Sequence, residues 1–409
     1  MSTEHVEICI VGAGAAGLWA AAACARQRVD TLVLEKTRRT GTKVLSSGGS
    51  RCNLTTSLGP NEAARHFGDG ANFVTAAMRA MSPQRVRDHF ETLGVKTKEE
   101  PEFEKVFPAS DSAVEVRDAL LRDATESGAK IRLESQVIRV EKRGETWVVT
   151  LENSEVTCDR LLLCAGGKSY PKSGTTGDGY RWLRDLGLRI VDPVPALVPL
   201  TSADSWIHGL SGIAVDGELR IGKGRRKRPT LFTHKGLSGP APMDLSEHVT
   251  RGGERDARLD LLPNMSVDEL RQLLVSAAER PGSPRLASLI PLPRRLLEAV
   301  ASRARLREVN PAANQINKGE RNRLLECLKA LPVPISGTLG FAKAEVTAGG
   351  LALDQVYRKT MEVKDHPGLF VFGELLDLTG PIGGFSFQAA FCTAELAANA
   401  ACSGLRGER

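Results

Sequence analysis

The stretch VEICIVGAGAAGLWAAAACARQRVDTLVLEK, Val6 to Lys36, decides the fold. Val6, Ile8 and Ile10 alternate as in a strand, GAGAAG (Gly12 to Gly17) follows directly, then an alanine-rich helix, then a second strand from Thr31 to Leu34 ending at Glu35. Gly12 permits the tight turn out of the strand, Gly14 lets backbone approach a pyrophosphate, and Gly17 lets the helix pack closely on the sheet. The helix start, with Ala15 and Ala16 in its first turn, offers unpaired N–H groups and the positive end of its dipole to phosphate. Glu35 stands about twenty residues beyond the glycines, where a carboxylate accepts from both ribose hydroxyls and repels a 2′-phosphate. The order of strand, glycines, helix, strand and acid favours FAD or NAD over NADP.

A chain of 409 residues and 44.0 kDa can bury a large core and implies two or three domains. The net charge of +6 is small for this length, and the one dense basic run, GKGRRKR (Gly222 to Arg228), reads as a solvated hairpin tip or loop. That argues against nucleic acid as a partner. The eight cysteines form no CxxC or close pair, which leaves neither a redox dithiol nor a metal site and makes a reducing cytoplasm the simplest setting. No basic segment precedes the apolar N-terminus as in a signal peptide, and no apolar run is long enough to span a membrane.

Along the chain, helical patterns cover Asn72 to Leu93 and Ala113 to Ser127. Strands follow at Lys130 to Leu133, Gln136 to Val140, Thr146 to Leu151 and Glu155 to Cys158, the middle pair joined by a KRGE hairpin signal. A buried strand, Arg160 to Cys164, enters the glycine-rich AGGKSYPKSGTTGDGY. From Asp192 proline breaks multiply, and a leucine- and arginine-rich helical stretch runs from about Val267 to Leu331. The nucleotide-domain pattern then returns as a strand (Gly368 to Phe372), GELLDLTGPIGGF and an apolar helix to Cys402. The fold class is α/β. A Rossmann-like domain formed by residues 1–193 and 344–409 is interrupted by an insert, 194–343, with a β part (194–262 and 332–343) and a helical part (263–331).

No second GxGxxG followed by strand and acid occurs, so no dedicated nicotinamide domain is present, and the cysteine pair of disulfide reductases is missing. The C-terminal block argues for FAD at the first site. Gly373, Glu374 and Asp377 lie just after a strand end, where a ribityl chain and phosphates need acceptors and close backbone approach. Gly384 and Phe385 open the last helix, whose positive end can face the pyrimidine edge of a reduced flavin.

GTKVLSSGGSRCNLTT (Gly41 to Thr56) resembles the GxKxLxSGGGRCNxTN signature of the HI0933-like flavoproteins of the BaiN/RdsA type. CAGGKSYPKSGTTGDGY, THKGLSGPAPMDLS, AEVTAGGLAL and GLFVFGELLDLTGPIGGFSFQAAF resemble further blocks of that family in the same order, across essentially the whole chain. The resemblance implies a glutathione-reductase-type FAD domain split by an insert whose β part is barrel-like, and noncovalent FAD. No histidine lies in Lys36 to Asn53, where histidyl-linked relatives attach their flavin. Ser50 replaces a glycine of the signature, Thr56 its final asparagine, and Phe385 a common tyrosine.

By motif matching, the FAD contacts are Gly12, Gly14, Ala15, Ala16, Gly17, Glu35, Lys36, Lys43, Ser47, Gly48, Val137, Ala165, Gly166, Gly373, Glu374, Gly384, Phe385 and Ser386, with Gly177 and Asp178 shaping the crevice. Val137 is assigned because the middle strand of such domains gives backbone hydrogen bonds to adenine. Hydride transfer needs a positioned substrate and one acid. The catalytic candidates are Arg51, Cys52 and Asn53 in the signature loop and His234 in the insert, with Tyr170 a weaker proton donor. The leading function is an FAD-dependent oxidoreductase acting on a small organic substrate, an ene-reductase or dehydrogenase with NAD(P)H as electron donor. The alternatives are a flavin-dependent RNA-modifying enzyme, with GKGRRKR touching RNA, and a non-catalytic flavin-binding regulator.

Overall fold

The computed structural model describes residues 2–407, and the chain divides into two compact units, Met1–Pro195 with Glu345–Arg409, and Ala196–Ala344. The first unit is built on a seven-stranded sheet. Its parallel core places Ser2–Val11 between Thr31–Leu34 and Ser154–Leu163, with Lys130–Arg132 beyond Thr31–Leu34. All four residues of Thr31–Leu34 are buried, as a central parallel strand covered on both faces requires.

Two strands anticipated separately form one, Ser154–Leu163, and its length has a use. Its first half pairs antiparallel with Thr146–Leu151, which pairs in turn with Val137–Arg143. Its second half pairs parallel with Leu369–Val371, so the C-terminal segment re-enters the sheet. The chain exits after Val11, Leu34, Leu163 and Val371 therefore lie at the carboxyl ends of parallel strands, where crevices form in open α/β sheets.

The first helix, Ala15–Arg26, is buried from Ala16 to Ala25 and packs against both the C-terminal helix Phe385–Gly407 and the helix Ala113–Glu126. Alanine and glycine make that approach possible. Trp19 donates from Nε1 to Glu395 Oε2 (2.8 Å) and so bolts the first helix to the last. The single helix anticipated from Asn72 to Leu93 is two, Ala71–Ala80 and Pro83–Thr92. Pro83 cannot continue a helix through its missing N–H, and Ser82 caps the second one by accepting from Arg85 N.

The second unit has its own core and a seven-stranded antiparallel sheet. In spatial order the strands are Leu331–Pro334, Asp256–Asp260, Ala214–Ile221, Gly224–Thr233, Gly236–Ser238, Leu200–Thr201 and Gly337–Thr338. Only Ile335 and Ser336 separate the two edge strands in sequence, a reach of about 10 Å. A flat sheet would hold those edges roughly 29 Å apart. The sheet is therefore curled on itself into a barrel-like form. The helical stretch resolves into Val267–Glu279, Leu286–Leu289, Arg294–Arg303 and Lys318–Lys329. Prolines 281, 284, 291 and 293 fall between these helices, and Ser266 and Asn317 form capping boxes.

The tightest contact in the first unit is at Gly17, where a Cβ would lie 1.8 Å from the Gly12 carbonyl oxygen. Gly17→Ala is expected to destabilise the fold by about 3 kcal/mol or more. Thermal or urea unfolding measures this, and an unchanged midpoint would contradict the packing.

Candidate cofactor site

Gly12 leaves the first strand at φ 109°, and a Cβ there would lie 2.8 Å from Cys164 O and 3.1 Å from Ala165 Cα. The turn thus crosses the end of the neighbouring strand and sets Ala165 and Gly166 beside it. Gly14 is the N-cap of the first helix, without a side-chain cap, and a Cβ on it would meet nothing within 4 Å. Leu18 N makes the first intrahelical bond, to Gly14 O (3.0 Å), so the amides of Ala15, Ala16 and Gly17 precede the ladder. Open space over a glycine at a helix N-terminus is what a bound pyrophosphate needs, and the residues fit a dinucleotide.

Glu35 is held before any ligand reaches it. Its Oε2 accepts from Ala13 N (2.9 Å), and its Oε1 accepts from Thr37 N and Oγ1 (both 2.8 Å). A carboxylate has about four acceptor positions, so these bonds leave one, on Oε2, where two ribose hydroxyls were anticipated. Glu35 N donates to Arg132 O and Ser135 N to Glu35 O, which brings Val137, 4% exposed, into the strand beginning beside it. Lys36, anticipated as a cofactor contact, gives its Nζ to Thr176 Oγ1 and Asp178 Oδ2 (both 2.6 Å). Burial pushes the Asp178 carboxyl up, but Lys36 and Thr176 outweigh it and hold the carboxyl below its ordinary range.

The second half of the site is organised on Glu374. Lys43 Nζ donates to both of its carboxylate oxygens (2.7 and 2.6 Å) and to Ser169 Oγ (2.6 Å). Thr347 N (2.8 Å), Ser169 Oγ (3.1 Å) and Gly167 N (3.4 Å) also donate to Glu374. Four segments meet on one carboxylate. Gly373 adopts φ 67°, and a Cβ on it would lie 3.2 Å from the Ala16 methyl, which sets this block against the first turn of the first helix.

The signature loop turns through a run of left-handed residues, Gly48, Gly49, Ser50 and Cys52. Ser47 Oγ donates to Val44 O (2.6 Å), and Ser47 O accepts from Cys52 N (3.1 Å). Arg51, a catalytic candidate, has its guanidinium engaged as a pin: its Nη2 meets Glu100 Oε1 (2.5 Å), its Nε meets Asp111 Oδ1 (2.7 Å), and its guanidinium lies 4.0 Å over Phe107. Both carboxylates hold it more firmly protonated than an isolated arginine. Cys52 is wholly buried, and burial pushes its thiol up to about 12 against the partial relief of Ser47. It is a packed thiol, because the nucleophile is the thiolate.

Asn53 is a clasp. With its amide oriented to suit its neighbours, it donates to Val106 O (3.1 Å) and Thr55 O (3.0 Å) and accepts from Gly384 N (2.9 Å). Gly384 adopts φ 82°, where a Cβ would lie 2.4 Å from Thr55 O. The C-terminal helix starts at Phe385, 2% exposed, with Ser386 in its first turn. His234 belongs to the second unit and is exposed in the two-residue turn between Gly224–Thr233 and Gly236–Ser238; it caps no helix. Tyr170 is left-handed at φ 53° and 38% exposed.

Three residues escaped the sequence reading. Gln388, wholly buried in the C-terminal helix, accepts from Thr55 Oγ1 (2.7 Å) and donates to Met81 O (2.7 Å). A lone glutamine in an apolar helix one turn after GGF was the available signal. His66 is exposed and its ring lies tilted against that of Phe385, with centroids 4.8 Å apart and planes at 34°, a contact that leaves no trace in sequence spacing. Thr379, between Glu374 and the last helix, has a buried hydroxyl without a protein partner.

The family description "HI0933-like protein Rossmann domain" matches residues 6–400. The chain is 31% identical over 401 residues to a ribosomal RNA dihydrouridine synthase of Haemophilus influenzae, covering 96% of this chain and 97% of the relative. It is 29% identical over 395 residues to the enzyme of the same name from Escherichia coli, covering 96% of each. It is 28% identical over 405 residues to a 3-dehydro-bile acid delta(4,6)-reductase of Clostridium scindens, covering 96% of this chain and 98% of that one. Among solved structures, the open conformation of a flavocytochrome c3 fumarate reductase shares the fold at TM-score 0.53 and 15% identity, over 98% of this chain and 78% of that one. A 3-ketosteroid delta1-dehydrogenase from Sterolibacterium denitrificans does so at TM-score 0.51 and 14% identity, over 98% and 100%.

Two measurements test the site. Gly14→Ala adds a methyl to open space, so it is expected to leave the unfolding midpoint unchanged while lowering FAD retention about tenfold or more, read from the visible absorbance of dialysed protein. Of the eight free cysteines all but Cys327 are buried. A thiol reagent at pH 8 is expected to titrate at most one thiol in the native protein and all eight in denaturant; a fast-reacting Cys52 would contradict its placement.

Proposed function

The chain belongs to the HI0933-like family of Rossmann-domain flavoproteins and is an FAD-dependent oxidoreductase, and from that premise we propose that it reduces a ring carbon–carbon double bond conjugated to a carbonyl, with NAD(P)H as electron donor. The observation that carries this reading is what the relatives' names share. Dihydrouridine is uridine with its ring double bond saturated, and a delta(4,6)-reductase saturates ring double bonds of a 3-keto bile acid. The substrates differ while the change of bond is the same.

FAD, when bound and reduced by NAD(P)H, would supply the hydride equivalent that such a reduction requires. The first-turn amides of Ala15, Ala16 and Gly17 hold the pyrophosphate, and Glu35, fixed by Ala13 and Thr37, takes a ribose hydroxyl. Asn53 and Gln388 fix the start of the C-terminal helix, whose positive end favours negative charge on a ring placed before it. Arg51 and Cys52 hold the signature loop in shape. Proton delivery to the substrate carbon falls to His66, the exposed imidazole lying against Phe385.

Anaerobic reduction with NADH and NADPH separately, followed by mixing with a cyclic enone and with uridine-containing RNA, tests the proposal. The expected result is flavin reoxidation by a conjugated acceptor and a product two mass units heavier. Inertness toward every conjugated acceptor, with fast reaction with oxygen, sinks it. His66→Gln is expected to slow acceptor reduction about a hundredfold and to leave flavin reduction by NAD(P)H unchanged.

A further inference from the structure

The sequence carries one glycine fingerprint, and the first helix commits it to the flavin nucleotide. A nicotinamide dinucleotide that reduces this flavin therefore has to be held without a Rossmann domain of its own.

One cleft of the first unit has the chemistry to do so. It lies between the start of the helix Ala71–Ala80 and the segment that follows the single turn Leu353–Gln355, and its volume is about 420 Å³. Its floor is apolar: Phe73 and Val356 are buried, and Leu353 completes it. Its mouth is polar, with Asn72 and Asp69 on one side and Asp354, Arg358 and Lys364 on the other.

Tyr357 stands at this mouth, 53% exposed, on a turn that is firmly bonded. Its N donates to Glu362 O (2.9 Å), and its O accepts from Met361 N (2.8 Å) and Thr360 N (3.0 Å). Lys364 Nζ lies 5.7 Å from the centroid of its ring. A fixed aromatic face in water, beside an apolar floor, is a stacking platform for a base. Asp354 does not cancel the cations, because Arg189 Nη2 meets both of its oxygens (2.7 Å). With Arg189, three cations stand against two carboxylates, and the surplus favours phosphate.

The cleft shares a wall with the cofactor site. The segment from His66 to Phe73 lines the cleft at its far end, while at its near end the rings of His66 and Phe67 lie 4.8 and 6.0 Å from that of Phe385. Midway, a Cβ on Gly70 would lie 2.6 Å from Leu378 Cδ1 of the C-terminal block and 3.6 Å from Leu353 Cδ1 of the cleft floor.

We propose that this cleft binds the adenosine–phosphate half of NAD(P)H, with Tyr357 stacked on adenine and Arg358 and Lys364 engaging phosphate, and so directs the nicotinamide toward Phe385. The inference rests on NAD(P)H as electron donor in the reading above. The nicotinamide C4–H bond breaks and its hydride passes with both electrons to the flavin; the dinucleotide is oxidised to NAD(P)+ and the flavin is reduced by two electrons.

Reduction of the FAD-loaded protein by NADH and by NADPH, followed without oxygen in a stopped-flow instrument, yields a half-saturation concentration and a limiting rate. Arg358→Gln and Lys364→Gln are each expected to raise the half-saturation concentration about tenfold, and Tyr357→Ala about fivefold. The limiting rate, and reduction by dithionite, which needs no binding site, are expected to stay the same. Calorimetric binding of NAD+ and NADP+ is expected to weaken by the same factors. Arg271→Gln, an exposed arginine of the second unit, is expected to change none of these. A penalty larger for NADPH than for NADH assigns the cations to the 2′-phosphate, and an equal penalty assigns them to the pyrophosphate. Unchanged half-saturation and binding in all three variants, or a fall in the limiting rate alone, would overturn the assignment of this cleft. A wild type that neither dinucleotide reduces would overturn it too, and leaves ene reduction standing if the dithionite-reduced protein still passes electrons to an enone. Inertness of the reduced protein toward every conjugated acceptor, with the variant effects as expected, removes the substrate reading and leaves the cleft assigned.

Discussion

The ion pair between Lys43 and Glu374 is the constraint on which the first unit's site depends. Its two residues are 331 positions apart, and their side chains are 27% and 21% exposed. Through Glu374 the pair gathers the short helix Thr42–Ser46 of the signature loop, the glycine-rich segment after Ser154–Leu163, the strand Val346–Leu351 and the C-terminal block. Hydrogen bonds to a charged group are worth about 1.5–3 kcal/mol each. A carboxylate that takes most of its bonds from backbone amides and one lysine fixes backbone, and backbone is what a glycine-lined cofactor cleft presents to its ligand.

A second clasp works on the same logic with neutral groups. Asn53 and Gln388 each use both ends of an amide, one from the signature loop and one from the last helix, and both engage Thr55. Gly384 can sit between them because it has no Cβ to strike Thr55 O. Arg51 and Cys52, residues with chemistry to offer, are consumed in keeping the loop's left-handed run in place. Ser50 occupies one of those left-handed positions without being a glycine, a local strain held by its neighbours.

The second unit shows how the same residues acquire different meanings from register. Arg225 and Arg226 are adjacent in sequence and equally basic, yet one faces Arg220 across the hairpin and the other approaches Asp244. The barrel-like curl follows from a similar constraint, since two residues between edge strands leave the sheet no room to lie flat.

The α/β class, the strand–glycine–helix start, the return of the nucleotide-domain pattern near the C-terminus and the resemblance to the family were legible in the sequence. These rest on conflicts between atoms a few residues apart, such as the missing Cβ of Gly17 above Gly12 O, or on motifs contiguous in the chain. The break between Ala80 and Pro83 was missed, because the helical period ran across it, although Ser82 and Pro83 carry its signal. What only the tertiary structure decided is where each charged or polar side chain spends its bonds. Lys36 finds Asp178 across 142 residues, Lys43 finds Glu374, Arg51 finds Glu100 and Asp111, and the basic run divides by strand alternation. A charge reaches its partner within about 3 Å only after the chain has closed, and no spacing along the sequence records which residue folding will carry there.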